Sequence, residues 1–242
     1  MSPWDNNRVL EAWETAAAAE PVERALRLLA AAEPGLAHEE LWALSIGRRD
    51  RRLIELREQL FGDTLRGFAE CPHCQDRLEY SLSAAALRTS HSGSGDQNLE
   101  LESEGFRLSL RRLDSGDLAA AARCRDMDEA RSVLVERCVL AATRGGSAVA
   151  IREVGEAVMA RVAGMLAEAD PMADLSIDLD CPCGYRWSVL FDIASFLWAE
   201  IAALARRLLR EVDVLARTYG WREADILAMS AARRELYLEL AL

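Results

Sequence analysis

The 242-residue sequence has no lysine. All 29 basic residues are arginine, set against 40 acidic ones for a formal net charge of −11. An all-arginine complement in a chain rich in Ala and Leu reflects a GC-rich coding history rather than a function. The acidic balance argues against broad binding to a phosphate backbone, which relies on a basic surface. No apolar run approaches the ~18–20 residues of a membrane span, and the start MSPWDNNRVLEAWE lacks a basic n-region and an apolar h-region. The expectation is a soluble, cytoplasmic protein. Histidine is scarce as well: His38, His73 and His91 fall in unrelated segments. H-E-x-x-H, a P-loop and G-x-S-x-G are all missing, and no pair of carboxylates stands isolated inside an apolar run. The sequence therefore gives no sign of an enzyme or of a small-molecule substrate.

Cysteine is also sparse, and its placement is the most specific feature present. ECPHCQDRLEY (70–80) and DCPCGYRWSVL (180–190) are two Cys-Pro turns, each followed by alternating apolar residues. In a reducing compartment, cysteines at such spacing are metal ligands more readily than disulfide partners. Each turn aims two thiolates the same way, and zinc takes four ligands in a tetrahedron. Cys71, Cys74, Cys181 and Cys183 thus form a candidate zinc-ribbon site, the first pair spaced C-x₂-C and the second separated only by Pro182. Four buried thiols without metal are the alternative. Gly184 follows the second turn where Gln75 follows the first. Four thiolates close the shell, leaving no position for a reactive water, so the zinc is expected to be structural. Cys124 and Cys138 lie in helical patterns and read as packing residues, and His73 is expected to point outward.

The fold class expected is α+β, mostly helical, with a small antiparallel sheet built around the Cys₄ site. Residues 1–66 read as an N-terminal helical subdomain. Residues 67–112 carry the first Cys-Pro turn and its strands, including a hairpin with Glu104-Gly105 in the turn. A central helical segment spans 113–171, with one helix running through MDEARSVLVERCVLAAT as far as Gly145-Gly146. Residues 172–192 hold the second Cys-Pro turn, with strands completing the sheet and Trp187 on their core face. Residues 193–242 begin with a long helix whose stripe is Ile193, Leu197, Ile201, Leu204, Leu208, Val212 and Leu215. A helical tail follows. Residues 89–98 form a flexible polar loop. The tail ends in ELYLELAL, where Leu236, Tyr237, Leu240 and Leu242 call for a partner, either the chain's own core or another chain. Arg233 and Arg234 suit the rim of such a contact.

GRRDRRLIELREQLFG, the CPHC turn, FRLSLRRLDSGDL, LVERCVLAA, AEADPMADLSIDLDCPCGYRW and the long C-terminal helix with its tail, in that order, resemble the T-even phage baseplate protein family. Relatives of that family occur in gene clusters for contractile tails and extracellular contractile injection systems. The resemblance covers nearly the whole chain and is most specific from the second Cys pair onward. It implies a non-enzymatic structural or assembly component of a baseplate or hub, with other baseplate or hub proteins as partners, docked through residues 191–242. A zinc-ribbon nucleic-acid-binding or regulatory module is the alternative, but Glu79, Asp178 and Asp180 on its strands oppose it. A zinc-dependent hydrolase would need a His ligand with a neighbouring Glu, a pattern the sequence lacks.

Overall fold

Leucines at steps of three and four in the first quarter of the chain become four helices. These are α1 (Asn6–Ala17), α2 (Pro21–Ala32), α3 (His38–Trp42) and α4 (Ile46–Phe61). The computed structural model describes residues 4–90 and 98–241. Local chemistry sets the helix starts: Asp5 and Ser45 accept from the N–H groups of Arg8 and Arg48, and Pro21 opens α2, where no intrahelical donor is needed. After α4, the chain forms β1 (Thr64–Glu70), β2 (Arg77–Ser83) and α5 (Ala84–Ser90). It continues as β3 (Leu99–Ser103), β4 (Phe106–Leu110), α6 (Ser115–Ala121), α7 (Met127–Cys138), β5 (Val139–Arg144), β6 (Ser147–Ala148) and α8 (Glu156–Ala169). The last elements are β7 (Ser176–Asp180), β8 (Arg186–Leu190), α9 (Ile193–Tyr219), α10 (Glu223–Leu227) and α11 (Ala231–Ala241).

Two cores result. The first joins both ends of the chain: Leu26, Leu28 and Leu29 of α2 and Leu53 and Ile54 of α4 share a cluster with Ile193, Leu197, Ile201 and Leu208 of α9. Each fully buried leucine or isoleucine contributes about 1.5–3 kcal/mol relative to exposure. Arg57 of α4 adds a bidentate pair with Glu200 of α9, at 2.8 and 2.9 Å, and donates to the Gly62 carbonyl that ends its own helix. The second core lies between the sheet β3-β4-β5-β6 and helices α7 and α8, around Leu101, Phe106, Leu108, Leu110, Cys138, Val158 and Val162. Glu104 and Gly105, with φ of 52° and 80°, supply the left-handed pair that a tight hairpin turn requires.

Beside this second core, Asp117 of α6 is fully buried and collects four donors. Arg111 gives it two bonds at 2.6 and 2.8 Å, Arg137 one at 2.7 Å and the Asp114 N–H one at 2.9 Å. Burial alone would raise its pKa. The hydrogen bonds from Arg111, Asp114 and Arg137 outweigh burial and hold the carboxyl below the usual carboxylate range.

The two cores meet where α4 begins. The Ile46 N–H donates to the Leu113 carbonyl and the Gly47 N–H to the Asp170 carboxylate, both at 2.9 Å. A Cβ on residue 47 would fall 1.9 Å from that carboxylate, so only glycine fits the approach. One turn on, Arg49 and Asp50 are buried against each other. Burial outweighs the Arg49 contact and pushes Asp50 up to about 6.

Three expectations from the sequence change. The segment after Cys138 is not helix but β5, which pairs with β4 in the register Leu108↔Ala142. The backbone edge of β4 and the β-branched Val139 and Thr143 favour the extended form, and Gly145 and Gly146 (φ 58° and 86°) turn the chain into β6. The two Cys hairpins do not share one sheet: β1-β2 and β7-β8 are separate two-stranded sheets. They approach through side chains at their turns rather than through backbone edges. Thr89 and Ser90 belong to α5, and residues 91–97 of the expected polar loop lie outside the described residues. At the C-terminal end, Ile226 and Leu227 are buried. In α11, Arg234 is buried against Glu211, while Leu236 and Leu240 face outward.

Candidate metal centre

Both hairpins end in turns that the sequence dictates. In the first, the Cys71 carbonyl accepts from the Gln75 N–H and the Cys71 N–H donates to Asp76, each at 2.9 Å. In the second, the Cys181 carbonyl accepts from the Gly184 N–H at 2.8 Å, and the Cys181 N–H donates to Tyr185. The ring therefore closes one residue sooner in the second turn. That shortening accommodates a single residue between Cys181 and Cys183 where the first turn has two. Both turns are followed by a left-handed residue, Gln75 at φ 65° and Gly184 at φ 88°. Only the second uses the residue suited to that conformation. Gln75→Gly should therefore raise stability by up to about 1 kcal/mol, the left-handed penalty of a side chain less the entropy lost by glycine. Thermal denaturation of the two proteins side by side checks this; an unchanged or lower midpoint would show that the Gln75 side chain supports the turn.

The turns bring together the four cysteines read from the sequence, across more than a hundred residues. Cys71 Sγ lies 3.8 Å from Cys183 Sγ, and Cys74 Sγ lies 3.5 Å from Cys181 Sγ. All four sulfurs fall within 4.8 Å of one another. A tetrahedral ion with metal–sulfur bonds of ~2.3 Å holds its sulfurs ~3.8 Å apart, so the quartet can hold a metal ion with little movement. Cys71 and Cys181 are buried, Cys74 is half-buried and Cys183 is exposed. Burial opposes ionisation of Cys71, yet the N–H groups of Cys74 and His73 and the neighbouring thiols bring it down to about 7. The Asp76 N–H favours the Cys74 thiolate, but desolvation and the crowding sulfurs push Cys74 up to about 12. Without a cation, one thiolate is accessible near neutrality and Cys74 and Cys181 resist ionising. A divalent cation removes that resistance by supplying the missing positive charge.

His73 does more than its position in the turn suggests. Its Nδ1 lies 3.8 Å from Cys183 Sγ, and its ring stacks on Tyr185 at 5.7 Å between centroids. It bridges the two turns beside the sulfurs. The adjacency of Tyr185 to the second Cys pair was the one sequence signal for this, since stacking cannot be read from spacing. Cys124 and Cys138 stand apart from the quartet: Cys138 is packed in the second core and Cys124 donates to the Ala120 carbonyl at 3.6 Å. His38 hydrogen-bonds Trp42, and His91 lies outside the described residues. On the hairpins, Gly67 faces Tyr80 so closely that a Cβ would sit 2.3 Å from the ring. The tyrosine lies across the glycine and fixes the register of β1 on β2.

No family model, no curated protein and no solved structure matches this chain.

Proposed function

We propose that Cys71, Cys74, Cys181 and Cys183 bind one structural Zn²⁺ in a zinc-ribbon-like centre. On this reading the protein is a non-enzymatic structural or assembly component of the baseplate or hub of a contractile tail-like particle. The sulfur quartet carries the first part. Four cysteines from two facing turns, at tetrahedral spacing, complete a coordination shell without admitting water, which suits a staple and not a reaction centre. The staple joins β1-β2 to β7-β8, so the ion would tie together segments otherwise linked by the His73–Tyr185 stack and through the cores. The second part rests on the resemblance of the sequence to the T-even baseplate family. Outward-facing Leu236 and Leu240 on α11 are consistent with it, as apolar residues on a helix surface are available for contact.

Elemental analysis of the purified protein should give one zinc per chain, and a folded, metal-free protein would end the zinc assignment. In cells carrying its gene cluster, the chain should be found in purified contractile particles or be required for their assembly. Particles of normal abundance and contractility after deletion of the gene would end the baseplate assignment while leaving the zinc reading intact.

A further inference from the structure

The surface carries a convex apolar ridge and, on the other core, a concave apolar groove. The ridge is on α11. Leu236 and Leu240 are four residues apart, hence about 6 Å along one helix face, and are 62% and 76% exposed. Arg233 precedes them on the same face, and Glu235 and Glu239 flank them. The groove, of 420 Å³, runs between α7 and α8. Met127, Ala130 and Leu134 line one wall and Ala163 and Ala167 the other, the three alanines leaving the space that larger side chains would fill. Arg131 stands on one wall, and Asp170 and Asp174 close the end where α8 stops. Met127 is 82% exposed beside it. Among the described residues, Arg131, Arg233, Glu235 and Glu239 have no oppositely charged partner, Arg233 resting only on the Tyr237 ring.

From this pairing we infer that α11 of one copy docks in the α7–α8 groove of a second copy, head to tail. The leucines fill the groove, Arg233 faces Asp170 and Asp174, and the glutamates face Arg131. Charge complementarity selects this occupant: a cation and two anions on the ridge meet two anions and a cation around the groove. α11 packs on α9 and the groove belongs to the other core, so a chain does not satisfy itself. The contact is heterologous, and repetition of it gives a ring or an open chain rather than a closed two-fold dimer. A ridge of two leucines makes a small contact, so association depends on concentration. The inference is independent of the particle assignment and of the metal.

The test uses the full chain in sedimentation velocity over a concentration series. Wild type should form dimers and larger species as concentration rises. Leu236→Glu with Leu240→Glu removes the ridge, and Ala167→Trp fills the groove at an exposed position. Each variant alone should remain monomeric, with an unchanged melting temperature showing that it is folded. Mixed, they should form a one-to-one heterodimer and nothing larger, because each retains the half the other lost. Arg131→Glu should weaken wild-type association at least tenfold, and adding Glu239→Arg should restore it. A monomeric wild type at all concentrations would overturn the inference. So would self-association that survives in either variant, or a mixture that yields no heterodimer.

Discussion

Removing the proposed metal, by a strong chelator or by Cys74→Ser, is expected to unfold β7-β8 and the turn end of β1-β2 while most of the helical structure persists. Structural zinc sites in small domains bind with about 10–16 kcal/mol at neutral pH, energy that unbound ligands cannot supply. Leu65 and Leu82 anchor the base of β1-β2 in the first core, but little else holds the turn end of that hairpin or the β7-β8 hairpin. No residue of β7 or β8 reaches full burial, and of those strands only Ile177 packs against the first core. A two-stranded hairpin is marginal by itself in water. The first core, by contrast, has its own leucines from α2, α4 and α9, and these do not involve the sulfurs. Amide hydrogen exchange should therefore show protection lost at residues 68–80 and 176–190 on chelation, with the base of β1-β2 and with α2, α4 and α9 still protected. Unchanged protection in both hairpins would rule out a stapling role. Acidification should act in the same direction. The bound form carries deprotonated thiolates and the free form binds protons there, so metal affinity falls as pH falls.

The second large effect concerns Asp117. Asp117→Ala should destabilise the protein by about 2–3 kcal/mol, the cost of removing a buried charged acceptor whose arginine partners, being partly exposed, regain some solvation. The magnitude follows from what is left behind: Arg111 loses both bonds of a bidentate pair, Arg137 loses its one carboxylate among the described residues, and the Asp114 N–H loses its acceptor at the start of α6. Because the carboxyl is held below its ordinary range in the folded state, its contribution is present above the unfolded carboxylate pKa. It is lost as pH falls through the folded value. Denaturant titration at neutral and acidic pH should thus show the gap between wild type and Asp117→Ala closing on acidification. Asp117→Asn should fall between the two, since an amide keeps an acceptor but no charge. A loss under about 1 kcal/mol for the alanine variant would mean that solvent readily replaces the carboxylate.

The sulfur quartet was legible in the sequence because its chemistry is local: a Cys-Pro turn with flanking alternation announces its ligands without knowledge of the partner turn. The helical cores were legible for a similar reason, the stripe of α9 being the clearest case. What sequence could not supply was the competition for a backbone edge. Residues 127–144 carry a helical pattern throughout, yet β4 offers an edge that Val139–Arg144 satisfies better than a continued helix. Trp187, read as buried from its alternation, is half-buried because it lies toward the turn end of its hairpin, beyond the base residues Leu175, Ile177 and Phe191 that reach the first core. The placement of His73 over Tyr185 depends on how the two turns face each other, which no spacing records.

The first core draws on both ends of the chain, while the second is built from the continuous stretch between β3 and α8, and this fixes an order of events during synthesis. At ~5–20 residues per second, roughly 5–20 s separate the emergence of Cys74 from that of Cys181, 107 residues later. In that interval the second core can complete itself on the ribosome, whereas α2 and α4 wait for α9 to cover their leucines. The first pair of thiols waits with them as an open, two-coordinate site. Capture of the proposed ion would then be a late step that coincides with closure of the first core, and a nascent chain stalled before Cys181 would expose thiols and apolar helix faces together.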